Sequence, residues 1–105
     1  MVESYRVERW SQLQAPNVAM LRQIMSAEGY TVFQWADGPD KVYGTHWHGE
    51  EQSHWVISGS LELTVERIGT FVLEAGDRDF MPAGTKHSAR VVGEDPVVYL
   101  IGEKR

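Results

Sequence analysis

The chain has 105 residues, 15 acidic against 10 basic side chains for a net charge of −5, and no cysteine. A chain of this length buries roughly 60–70% of its unfolded surface in one core, so a single domain spanning 1–105 is expected. The acidic balance, with no dense Lys/Arg patch, speaks against a nucleic-acid partner. The missing thiols exclude a disulfide framework, a thiolate nucleophile and a zinc-finger ligand set, so any metal must take nitrogen and oxygen ligands.

In chain order, Met1 to Trp10 carries Glu3, Arg6, Glu8 and Arg9 around no apolar core, unlike a signal peptide, and no 18-residue apolar run follows. A cytoplasmic protein without a membrane partner is expected. Pro16 to Glu28 is the helix candidate, with Val18, Leu21, Ile24 and Met25 on one stripe and Gly29 in C-cap position. The stripe is read as core packing. After Gly29 short β-rich runs recur between turn signals: Tyr30 to Trp35, Val42 to His48, His54 to Ile57, Leu61 to Glu66, Thr70 to Leu73, Arg78 to Met81, Ser88 to Val92 and Val97 to Ile101. Residues 1–29 are thus expected as an arm and helix, and residues 30–105 as an all-β sandwich or barrel.

The chemistry concentrates in histidines. Side chains at i and i+2 of a strand share a face, so His46-Trp47-His48 offers two imidazoles to one cation while Trp47 turns away. His87, which follows a Gly76-x5-Pro82-x-Gly84-x2 series, would close the set.

These residues resemble the two signature segments of the cupin family. The first, Gly-x5-His-x-His-x3or4-Glu-x6-Gly, is met by His46, His48, Gln52 and Gly59; the second, Gly-x5-Pro-x-Gly-x2-His-x3-Asn, by Gly76, Pro82, Gly84 and His87. The resemblance covers residues 46–91. It implies a double-stranded β-helix, or jelly-roll, barrel and one divalent transition metal ion (Fe, Mn, Ni, Zn or Cu) held by His46, His48, His87 and an oxygen ligand. Three positions depart from the pattern: Asp40 replaces the leading glycine, Val91 the closing asparagine, and Gln52 the acidic ligand. An amide in place of a carboxylate leaves a divalent site at about +2 where a carboxylate would leave about +1, which lowers metal affinity and increases polarisation of a bound water or anion. Glu50 and Glu51 are close enough in sequence to substitute as the fourth ligand if the strand begins out of register, although one residue of slip turns a side chain to the opposite face.

His54 shares strand parity with Gln52 and is a candidate proton shuttle or, more simply, a core histidine satisfied by hydrogen bonds. Trp35, Trp47, Trp55, Phe71, Phe80 and Tyr99 are read as sheet packing or a dimer surface before an aromatic substrate cage. Arg78 and Arg90 are candidates for the barrel mouth, with surface placement the simpler assumption. The function expected from the resemblance is a metal-dependent enzyme, of dioxygenase or isomerase type, acting on a small molecule. The alternatives are a non-catalytic ligand-binding or sensing barrel, or a vestigial site. A homodimer is expected, because jelly-roll edges need covering.

Overall fold

The computed structural model describes residues 4–105; Met1 to Glu3 of the expected arm lie outside the described residues. Nine strands and one helix follow one another as β1 (Arg6–Glu8), α1 (Val18–Ala27), β2 (Thr31–Asp37), β3 (Val42–His46), β4 (Glu51–Ser58), β5 (Ser60–Val65), β6 (Gly69–Leu73), β7 (Arg78–Phe80), β8 (His87–Val92) and β9 (Val97–Lys104). A five-stranded sheet in the order β1-β7-β4-β9-β2 and a four-stranded sheet in the order β3-β8-β5-β6 form the jelly roll, with every pairing antiparallel. β2 and β3 are edges of different sheets and share no ladder, so hydrogen bonds do not close the shell between them.

Strand parity builds two cores. Val56, Leu61, Leu63, Val65, Leu73, Met81, Val91, Val97 and Tyr99 meet between the sheets. Residues adjacent to them on β4 and β9, Trp55 and Leu100, point the other way and receive Leu21 and Met25 of α1, with Tyr30 beside them. Both helix side chains are fully buried, and each contributes about 2 kcal/mol by leaving water. The helix starts later than Pro16 because Asn17 caps it: its Oδ1 accepts from the Met20 N–H at 3.0 Å. Ile24, expected on the buried stripe, is 39% exposed. No helix among the described residues is long and apolar enough to cross a membrane.

Two turns show why the chain departs from or keeps glycine. Asp40, where the signature has glycine, adopts φ 68°, a left-handed conformation that aspartate tolerates better than most residues. Gly59 at φ 78° cannot be replaced so easily, since a Cβ there would lie 2.3 Å from the Pro96 carbonyl oxygen.

The arm contributes more than expected. β1 pairs with β7 through Arg6–Phe80, Val7–Asp79 and Glu8–Arg78. The candidate roles of the arginines change accordingly. Arg78 is buried, with its guanidinium 4.1 Å from the ring centres of both Trp55 and Phe80, and it donates to both carboxylate oxygens of Glu28 and to Ser53 Oγ. It fastens the end of the helix to the outer face of the sheet and does not reach the barrel mouth. Arg90 lies on the surface, paired with Glu62 at 2.8 Å.

Candidate metal centre

Three imidazoles from two elements converge between the sheets. His46 ends β3 and His87 begins β8, directly opposite it in the ladder. His48 lies just beyond the strand, which stops at His46 and not at His48 as expected. The Gly84 N–H donates to the His48 carbonyl at 2.8 Å, tying the turn before β8 to the segment after β3. Ring centres are 4.3 Å apart for His46–His87, 4.8 Å for His46–His48 and 5.4 Å for His48–His87, and one nitrogen of each ring lies within 4.8 Å of the others. Trp47 between them is 62% exposed, turned away as parity predicts.

The backbone presets the rings. His46 Nδ1 lies 2.6 Å from the Gly44 carbonyl oxygen and His87 Nδ1 2.9 Å from that of Thr85. A carbonyl only accepts, so each Nδ1 carries the hydrogen and each neutral ring keeps its Nε2 lone pair, the state a cation requires. Burial pushes His87 down to about 4, against the Thr85 carbonyl, with the neighbouring His54, His46 and His48 adding to the fall. Burial also lowers His48, helped by His46 and His54 and opposed by Glu103. Both rings are therefore neutral at pH 7.

Gln52 stands on the same cavity wall and is buried. Its Nε2 donates to Glu103 Oε2 at 3.3 Å, which fixes the amide orientation, and its Oε1 is buried without a hydrogen-bond partner among the described residues. An orphaned buried acceptor costs about 1–3 kcal/mol. A cation beside the three imidazoles is a partner that suits it, so the residues present fit a divalent metal. Glu103 also alters the charge arithmetic made from Gln52 alone: a carboxylate is present one side chain further out.

These groups line a cavity of about 260 Å³ together with Trp35, Tyr43, His54, Leu61, Leu63, Ala89, Tyr99 and Ile101. His54 faces this cavity and is held from behind. Its Nδ1 is 3.0 Å from Asp79 Oδ1, its backbone N–H donates to the same oxygen at 2.7 Å, and Tyr5 OH donates to Oδ2 at 2.9 Å. Burial alone would lower the imidazole, but the charge and hydrogen bond of Asp79 outweigh it and the net shift is upward.

Sequence reasoning brought His46, His48, Gln52, His54 and His87 to one place and missed Asp79, Tyr5, Glu103 and Tyr43. Trp35 and Tyr99, read as packing or dimer surface, line the cavity, whereas Trp55, Phe71 and Phe80 pack. Tyr43 was hidden by parity, since it is three residues from His46 and should face away from it. The ladder sets Tyr43 against Ala89 and His46 against His87, three residues of advance on β3 for two on β8. This bulge turns both side chains inward. Asp79 carried no signal of its own, since it follows Asp77 and Arg78 in a charged stretch that reads as surface.

The comparisons with known proteins agree with this frame. No curated protein matches the sequence. Among solved structures, a DMSP lyase is 28% identical with a TM-score of 0.67, over 72% of this chain and 38% of that one. A double-stranded β-helix protein from Klebsiella pneumoniae is 25% identical with a TM-score of 0.63, over 71% and 62%. Bacillus subtilis oxalate decarboxylase, a protein with Mn(II) centres, is 26% identical with a TM-score of 0.63, over 71% and 22%. The chain thus spans less than two thirds of the length of each of these relatives. A cupin-domain family model matches residues 34–102, from the middle of β2 to near the end of β9. With that match over more than half its length and the jelly roll around it, the chain belongs to the cupin family.

Proposed function

We propose that the chain is a metal-dependent enzyme acting on a small carboxylate-bearing molecule, in which His46, His48, His87 and Gln52 hold one divalent transition ion and His54 moves a proton. What supports this is the coincidence, in a single cavity, of three converging imidazoles, two of them preset by backbone carbonyls, an orphaned amide oxygen and a histidine backed by a buried carboxylate. Nitrogen ligands with one neutral oxygen suit Fe, Mn, Ni, Zn or Cu. A bound ion of this kind supplies Lewis acidity toward a substrate oxygen.

The remaining work falls to the chain itself. The Gly44 and Thr85 carbonyls aim the His46 and His87 rings, and Gln52 is aimed by Glu103. Asp79 keeps the proton of His54 on Nδ1, so Nε2 is the atom that exchanges a proton with the cavity. Leu61, Leu63 and Ile101 keep the wall apolar and limit competing water. Between the two reaction types the resemblance implied, proton-transfer chemistry is favoured over dioxygenation, because the wall supplies a proton-holding group next to the imidazoles. A lyase and a decarboxylase among the solved relatives support the same preference. The exposed Phe33 on edge strand β2 supports the expected homodimer; a monomer mass by light scattering would remove that part.

The test is elemental analysis of the purified protein, followed by turnover of a panel of small carboxylates with metal-loaded and metal-stripped protein. Stoichiometric metal is expected, together with loss of turnover but retention of metal in His54→Gln. Absence of stoichiometric metal, with no binding of Mn, Fe, Ni or Zn by calorimetry, refutes the reading.

A further inference from the structure

The cavity wall divides by chemistry along its strands. On β8, His87 stands two residues from Ala89, the partner of Tyr43; on β9, Glu103, the partner of Gln52, stands four residues from Tyr99, the partner of Trp35. At about 3.3 Å per residue the aromatic level therefore lies roughly 7–13 Å of strand away from the imidazole and amide level. At that level one carboxylate organises three rings. Trp35 Nε1 donates to Tyr43 OH at 3.1 Å, Tyr43 OH donates to Asp37 Oδ1 at 2.7 Å, and Tyr99 OH donates to Asp37 Oδ2 at 2.9 Å. A phenol that donates to a carboxylate carries extra electron density, which increases the attraction of its ring face for cations.

The charge pattern points the same way. Among the described residues no lysine or arginine lines the cavity and Asp37 has no ion pair. The ammonium of exposed Lys41 rests 5.0 Å from the Tyr43 ring centre, but Lys41 is not part of the wall, and no cation among the described residues rests on the rings of Trp35 and Tyr99.

We propose that Trp35, Tyr43 and Tyr99 form a cation subsite backed by Asp37, so that the cavity takes an onium carboxylate: a quaternary ammonium or tertiary sulfonium group against the rings, and a carboxylate toward the imidazoles. The carboxylate end rests on the metal-centre reading; the onium end stands on the aromatic cluster by itself. A dicarboxylate is disfavoured, because its second charge would meet π faces and Asp37 with no cation to receive it.

The experiment titrates Mn(II)-loaded and metal-stripped protein with β-alanine betaine, with its uncharged carbon isostere 4,4-dimethylpentanoate and with succinate, following tryptophan fluorescence and heat. Tetramethylammonium, which has no carboxylate, probes the aromatic end alone. The betaine is expected to bind about 5- to 30-fold more tightly than its isostere, with succinate weakest. Trp35→Leu and Asp37→Asn should bring the betaine-to-isostere ratio to about twofold or less, and Trp35→Leu should abolish the tetramethylammonium signal. Trp35 is 49% exposed, so its loss does not threaten folding. Equal binding of betaine and isostere, tightest binding of succinate, or a ratio unchanged in Trp35→Leu overturns the proposal. Failure of the metal reading alone looks different: betaine affinity would be the same with and without Mn(II) while the preference over the isostere persisted.

Discussion

Replacing Gln52 by glutamate should have opposite effects on the metal-free and metal-loaded protein, and the magnitudes follow from one contact. Gln52 Nε2 donates to Glu103 Oε2 at 3.3 Å. An introduced carboxylate in the same place turns this attraction into a like-charge contact, worth about 5 kcal/mol at 3.3 Å with an effective dielectric constant near 20. The protein has a cheaper route, which is to protonate one of the two carboxyls. Starting from an ordinary glutamate pKa of about 4.3 and 1.36 kcal/mol per unit, this costs about 4 kcal/mol at pH 7 and about 1 kcal/mol at pH 5. The folded pair therefore binds its proton more tightly than the unfolded chain does, and the penalty grows with pH across this window. In chelator, urea unfolding of Gln52→Glu should show a stability deficit rising by about 1.4 kcal/mol per pH unit between pH 5 and pH 7. With Mn(II) present, the carboxylate faces a divalent charge, so the deficit should shrink or reverse and the metal dissociation constant should fall. A deficit that stays flat with pH in chelator would refute the clamped-amide geometry. An unchanged dissociation constant would place the side chain outside the metal's reach.

The remaining expectations concern the groups around this contact. Asp79→Asn should reverse the direction of the His54 shift, because burial alone lowers that imidazole and only Asp79 raises it; the ring titration by NMR should fall below its ordinary range, and a titration still above it would refute the pairing. The same variant should lose about 2–4 kcal/mol in denaturant, since Asp79 is fully buried and accepts from Tyr5 and twice from His54. In metal-free wild type, His87 takes its proton at about 4 when folded and at about 6.5 when unfolded, so stability should fall by about 2 kcal/mol from pH 6.5 to pH 5. His54, raised in the fold, has the opposite sign, but its contribution is already full below 6.5 and fades only as pH rises through its folded value; no fall in the urea midpoint over that window would refute the assignment. Arg78→Ala should cost about 3–5 kcal/mol of unfolding free energy, because it empties the space between Trp55 and Phe80 and leaves Glu28 unpaired; a loss under 1 kcal/mol would show the stack to be incidental.

Much of the architecture was legible because it follows from local rules. The apolar pair Leu21 and Met25, with Gly29 after the last turn, marks the helix, although the cap at Asn17 was not read from the sequence, and alternation with turn residues marks β2 to β9. What escaped is what tertiary contact creates. Arg6–Glu8 has no strand signal; it is extended because β7 offers it an edge. β4 begins at Glu51 and not at His54, since Gln52 and Ser53 are polar yet buried, the Gln52 amide N–H held by Glu103 and the Ser53 hydroxyl by Arg78 and the Asp79 carbonyl oxygen from other strands. The histidine set could be read from spacing. The residues that support it, Asp79, Tyr5 and Glu103, are 25 or more positions away in sequence from the side chains they serve, and no spacing rule connects them.

The irregular step in β3 has a further implication for how such a cavity diversifies. Because one surplus residue is absorbed between Tyr43 and His46, the ring that would meet a ligand's tail and the ring that would meet an ion are aimed independently, although they share one short strand. Substitutions at Tyr43 can therefore reshape ligand preference without rotating His46. Deleting a single residue between them would restore regular pleating with the two rings two positions apart and still on one face, but their aim would then be coupled. Swaps of side chain at Tyr43 should leave His46 in place, whereas loss of the surplus residue should move the two rings together.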